Sequence, residues 1–114
     1  MKQDSGNRVL LFGGTTEGRE LALWLREAGI PALSHVATDY GEALLREKAL
    51  PAEYGRLDAA EMEKLFRTGD FFAVLDATHP FATEVSKNIR AAAAAAGVRY
   101  YRILRGEGSA SERS

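Results

Sequence analysis

The sequence predicts an α/β fold: a Rossmann-like, five-stranded parallel sheet with strand one central and helices on both faces. Three observations carry this. Short apolar runs alternate with amphipathic stretches, and each crossover is long enough for a right-handed parallel connection. The two strongest runs, Val9-Leu10-Leu11-Phe12 and Phe71-Phe72-Ala73-Val74-Leu75, are continuous rather than alternating, as in strands buried on both faces. The first run ends in two glycines and passes directly into a helical pattern, the local order that holds phosphates in such folds.

After the first strand, Leu21, Trp24, Leu25 and Ala28 recur at i, i+3, i+4 and i+7. This places Trp24 on the core stripe of helix one. Gly29 and Pro31 end that helix. Ala32 to Ala37 forms the second strand. Asp39-Tyr40-Gly41-Glu42 has capping-box spacing, with Asp39 as the cap of a short helix that carries Leu44 and Leu45 and ends near Leu50-Pro51. Glu53-Tyr54-Gly55 is a brief third strand. Asp58-Ala59-Ala60-Glu61 is a second capping box, and Leu57 with Met62 has the spacing of a hydrophobic staple. Helix three ends around Thr68-Gly69, and Phe71 to Leu75 is strand four. Pro80 suits a first helical position, so helix four is expected to begin there, with Ala82, Val85, Ile89 and Ala93 inward. The alanines from Ala91 to Ala96 favour helix up to Gly97. Val98 to Ile103 is strand five, with Tyr100 and Tyr101 on opposite faces. The expected organisation is a flexible segment over 1–7, one α/β domain over 8–105, and a disordered tail over 106–114.

The chain has 114 residues, a net charge of −1 and no cysteine. Fifteen basic residues balance 16 acidic ones, so no footprint for nucleic acid or an anionic membrane is expected. Without cysteine, disulfides and thiolate metal sites are excluded, and two histidines do not make a dedicated metal site. No apolar run reaches the ~20 residues that span a bilayer, and a cytoplasmic location is expected.

The chemistry is expected at the carboxyl ends of the strands. In Gly13-Gly14-Thr15-Thr16-Glu17-Gly18, Gly13 and Gly18 fit the tight-turn and close-packing glycines of the dinucleotide fingerprint. Thr15 stands where the middle glycine would be. Thr15 and Thr16 offer hydroxyls to a phosphate, added to the amides of a helix N-terminus. The alternative reading is a purely structural turn. An acid ~20 residues on would bind a ribose hydroxyl, but Asp39 falls late and reads better as a cap. Ser34 and Thr38 are placed for the ribose or a 2′-phosphate, and the choice between NADH and NADPH stays open. Asp76-Ala77-Thr78-His79-Pro80-Phe81-Ala82 ends strand four. Here Pro80 holds His79 extended and aims its side chain toward a ligand. Otherwise Asp76 is a turn residue and Thr78 or His79 a helix cap. Arg56, after strand three, could meet a phosphate or carboxylate, or stay in solvent.

Taken together, these motifs resemble the precorrin-6A reductases of cobalamin biosynthesis. The resemblance runs from about residue 8 to 105, through Leu11 to Leu21, Ala37 to Gly41, Gly55 to Asp58, Asp76 to Ala82, the pair Ser86 and Asn88, and the strand to Tyr101 and Arg102. It implies NADPH- or NADH-dependent reduction of a double bond in precorrin-6A or its cobalt counterpart, a tetrapyrrole, giving precorrin-6B. It implies that Gly14 to Gly18 hold the pyrophosphate and that Thr78, His79 and Pro80 shape the nicotinamide and macrocycle side, with His79 a catalytic candidate and Arg56 and Asn88 further substrate contacts. It also implies a second α/β half across the cleft, which this chain lacks, so the expectation is a fragment or shortened relative. A non-catalytic nucleotide-binding module is the competing reading.

Overall fold

The computed structural model describes residues 6–104. The expected tail over 106–114 and most of the expected N-terminal segment lie outside the described residues. Nine elements alternate strictly: β1 (Arg8–Phe12), α1 (Thr16–Glu27), β2 (Ala32–Val36), α2 (Asp39–Arg46), β3 (Ala52–Tyr54), α3 (Ala59–Thr68), β4 (Phe71–Asp76), α4 (Thr83–Ala96) and β5 (Arg99–Arg102). The strands form one parallel sheet in the order β3-β2-β1-β4-β5, with β1 central as expected. The strand order therefore reverses between β1 and β4, and the crevice above that reversal is where open α/β sheets take ligands.

Alternation along β1 divides the core. Leu10 and Phe12 face Met62 and Phe66 of α3 and Ile89, Ala92 and Ala93 of α4. Val9 and Leu11 face Ala22 and Leu25 of α1 and Leu45 of α2. Helices thus cover both faces, which explains why β1 reads as an unbroken apolar run.

Five local expectations need correction. Trp24 is 60% exposed; the buried residues of α1 are Gly18, Ala22 and Leu25. The buried stripe lies to one side of Trp24, whose ring stays on the solvent flank. The cap of α2 is Thr38, whose Oγ1 accepts from the Gly41 amide at 3.1 Å, and Asp39 is the first helical residue. There its charge complements the helix dipole. That helix ends at Arg46, several residues before Leu50-Pro51. Helix α4 begins at Thr83 rather than near Pro80, because His79 to Ala82 close a turn: the Ala82 amide donates to the His79 carbonyl at 2.9 Å. Its buried residues are Ser86, Ile89, Ala92 and Ala93, so Val85 faces outward. The second capping box is present as read, with Asp58 and Glu61 bonded reciprocally.

Candidate active site

Only Gly13, Gly14 and Thr15 link β1 to α1. The Gly13 amide donates to the His35 carbonyl at 3.0 Å, extending the ladder one residue beyond the strand. Gly14 has φ +97°, and a Cβ there would meet nothing within 4 Å. The turn's backbone conformation, not packing, requires glycine. Gly18 is required by packing: its Cβ would stand 3.0 Å from Gly13 Cα. Helix and strand touch there through bare backbone, the role expected of the third fingerprint glycine.

Thr15 does something other than expected. Its Oγ1 accepts from the Gly18 amide at 3.0 Å, capping α1, and donates to the Ala77 carbonyl at 2.7 Å. That hydroxyl is committed within the protein and has no proton left for a phosphate. Thr16 Oγ1 accepts from Arg19 Nη2 at 3.2 Å. Glu17 lies in the first turn of α1, where an acid suits the helix dipole. Arg19 was overlooked in the sequence. A cation near a helix N-terminus opposes the dipole, so its position one turn from a glycine loop was itself a signal of an anion nearby.

At the end of β2, Thr38 lines the crevice but Ser34 does not. Ser34 is buried in mid-strand beside the groove at the opposite end of β2, among Ala22, Pro31 and Leu50. That placement is away from the crevice that Thr38 lines, where the ribose was expected. The residue after it, His35, is only 7% exposed. Its Nε2 donates to the Gly55 carbonyl at 3.0 Å, its ring lies 5.6 Å from that of Phe12, and its buried Nδ1 has no partner.

The end of β4 is built around Asp76, which is fully buried. Its carboxylate accepts from the Thr78 hydroxyl at 2.7 Å, the Thr78 amide at 3.1 Å, the Tyr100 hydroxyl at 2.8 Å and Arg102 Nη1 at 3.2 Å. Arg102 Nη1 also donates to the carbonyls of Asp76 and Thr78, each at 3.0 Å. Burial raises the Asp76 pKa, but the hydroxyls of Ser86, Thr78 and Tyr100 and the Thr78 amide outweigh it and hold the carboxyl below its ordinary 3.8. Burial, with the hydrogen bond to Asp76 and that residue's charge, pushes Tyr100 above its ordinary 10.0. Asp76 is therefore the anchor of the β4–β5 end, more than a turn residue. His79 is exposed beyond it, its Nδ1 accepting from the Phe81 amide at 3.1 Å, which leaves Nε2 as the outward donor.

These elements meet in a crevice of about 380 Å³ at the carboxyl edge of the sheet. Of the expected residues, Gly13, Gly14, Thr15, Thr38, Arg56, Thr78 and His79 line it. An adjoining hollow of about 460 Å³ adds Thr16, Glu17 and Pro80. Gly18 is buried behind the turn, and Asn88, half-buried on α4, lines neither space. Among the described residues no Asp or Glu lines the crevice, whereas Arg19 and Arg56 do. Among the described residues no group of three or more His, Asp or Glu gathers as a metal site, and no helix is long and apolar enough to cross a membrane.

The family model for precorrin-6x reductase CbiJ/CobK matches residues 8–114, nearly the whole chain. The chain belongs to this family. The cobalt-precorrin-6A reductase of Priestia megaterium is 35% identical over 97 residues, which cover 85% of this chain and 38% of that protein. The precorrin-6A reductase of Rhodobacter capsulatus is 39% identical over 93 residues, covering 80% of this chain and 36% of the relative. A solved structure of CobK precorrin-6A reductase superimposes with a TM-score of 0.72 at 34% identity, covering 91% of this chain and 40% of that one. The chain thus spans about two fifths of the length of the precorrin-6x reductases it matches.

Proposed function

We propose that this chain is the cofactor-binding half of an NAD(P)H-dependent reductase acting on precorrin-6A or cobalt-precorrin-6A to give precorrin-6B. The observation that carries the reading is the β1–α1 turn. The bare backbone of Gly13 and Gly14 opens onto a crevice with Arg19 beside it and, among the described residues, no carboxylate in its wall, Glu17 bordering only the adjoining hollow. Such a surface fits a pyrophosphate: α1 presents amides and the positive end of its dipole, and Arg19 adds a charge-assisted donor. Thr16, Glu17 and Gly18 form the first turn of that helix. The bound nicotinamide supplies a hydride. Thr78, His79 and Pro80 border the hollow continuous with the crevice and form the reacting side, where His79 Nε2 is an outward donor and the catalytic candidate.

The tetrapyrrole needs a second wall. Hydride transfer requires donor and acceptor carbons in fixed near contact, and positioning of that kind is worth ~7–11 kcal/mol of barrier. We assign that wall to a second half of the enzyme, supplied with or beside this one. The 114-residue chain is then expected to bind cofactor with little turnover. Thermal melts with NADPH and NADH test the binding. A ligand at 100 times its Kd stabilises by ~2.7 kcal/mol, and Gly14→Val should abolish this gain by placing a branched side chain where backbone must approach phosphate. Equal gains in both proteins would remove the turn from the site. Full-rate reduction by the isolated chain would remove the second wall.

A further inference from the structure

Ser34 takes no part in the crevice, and its own surroundings point to a different ligand. Alternation along β2 sends Leu33 to the core beneath α3 and α4 and turns Ser34 to the α1 side. There it is 3% exposed, and its hydroxyl makes no hydrogen bond among the described residues. A hydroxyl this deep is normally bonded, because nothing else repays the loss of its water. Among the described residues, His35 Nδ1 is the one unpartnered side-chain atom fully sealed from solvent. The Ser34 hydroxyl is therefore not sealed. It opens into the groove that Ser34 lines.

That groove has a volume of about 270 Å³ and lies at the amino end of β2, sharing no residue with the crevice. It runs between the turn from Gly29 to Pro31, before β2, and Leu50-Pro51, before β3, with Ala22 of α1 alongside. The backbone that frames it is already occupied. The carbonyls of Trp24, Leu25 and Arg26 accept from the amides of Ala28, Ile30 and Gly29. Those of Pro31 and Pro51 accept from Val9 and Ser34. The polar groups left to a ligand are side chains. One is the Ser34 hydroxyl, which can donate or accept. The other is exposed Arg26, whose Nη1 donates to the Lys48 carbonyl at 2.5 Å. This bond fixes the guanidinium against the groove, and its Nε and Nη2 make no bond among the described residues. Among the described residues no Asp or Glu lines the groove, so Arg26 gives it a positive mouth.

We infer that this groove is a second ligand site, for a small carboxylic acid that carries a hydrogen-bonding group at its other end. The carboxylate meets Arg26 through charge-assisted bonds, the apolar body lies against Ala22, Ile30 and Leu50, and the inner polar group pairs with Ser34. The volume falls just below the ~300–1,000 Å³ of drug-sized pockets, which limits the body to one ring or a short chain. The inference is independent of the cofactor reading, and either can fail alone.

Amide-resolved NMR titration of the full chain with para-hydroxybenzoate tests it. Saturable shifts are expected at Ala22, Arg26, Ile30 and Ser34. Exchanging the carboxylate for an alcohol, in para-hydroxybenzyl alcohol, should weaken binding about tenfold, equivalent to ~1.4 kcal/mol. In Arg26→Gln these two probes should bind alike. Removing the ring hydroxyl, in benzoate, should weaken binding severalfold, and Ser34→Ala should erase that difference. Ser34→Ala should also melt no lower than the wild type, because the hydroxyl bonds nothing in the fold. A lower melting temperature would show an internal partner for Ser34 and overturn the inference. Absent or unsaturable shifts, shifts confined to the crevice, or a probe ranking that either variant leaves unchanged would overturn it too; a groove that holds only water gives the first of these results.

Discussion

Two neighbouring strand ends at the centre of the sheet are built on different principles. The end of β1 is made of backbone: two glycines, a capping threonine and a helix that starts at once. The end of β4 is made of side chains: a buried carboxylate gathers donors from Thr78, Tyr100 and Arg102, and α4 starts late with no side-chain cap. The first design leaves amides available to an anion. The second uses its polar groups on one another and ties down the backbone that leads to His79. Neighbouring strands of one sheet thus differ: one end leaves backbone exposed at its turn, and the other ties its polar groups to one another.

Three changes would break or sharpen that division. The largest effect should come from Asp76→Ala. It strips Tyr100 and Arg102 of a buried acceptor, and removing one partner of such a pair costs about 3 kcal/mol. The loss should show in the urea midpoint, while nucleotide affinity of the folded protein holds. A large loss of affinity at unchanged stability would mean that Asp76 serves the ligand. Gly18→Ala should do the reverse. Its Cβ would sit 3.0 Å from Gly13 Cα, so α1 must shift from β1 at a cost of about 1–2 kcal/mol. Nucleotide binding should fall more than stability, as titration against melting would show. The mildest and reversible perturbation is pH. Asp76 has a lowered pKa when folded, so its contribution is present above its unfolded value near 3.8 and is lost as pH falls through the folded one. Tyr100 has a raised pKa, so its contribution is present below 10.0 and is lost as pH rises through the folded value. Melting temperatures should fall at both limits. Indifference at both would detach the network from stability.

The same division decides what could be read from sequence. The β1 end was legible because its parts are contiguous: an apolar run, glycines, then a helical period. The Asp58 and Glu61 box was legible for the same reason. The β4 end was not, since its meaning is carried by Tyr100 and Arg102, 24 and 26 residues beyond Asp76, which reach it only through the pairing of β4 with β5. His35 was missed because its role lies in a bond to Gly55, 20 residues away. Trp24 was misplaced because periodicity gives a stripe but not its centre. Pro80 was misplaced because a proline that can begin a helix can equally sit in the turn before one.

Thr15 joins the two strand ends. Its one hydroxyl oxygen accepts from the Gly18 amide in the first turn of α1 and gives its proton to the Ala77 carbonyl after β4. Loss of that hydroxyl, as in Thr15→Val, is expected to raise hydrogen exchange in the first turn of α1 and in the loop that carries His79 together.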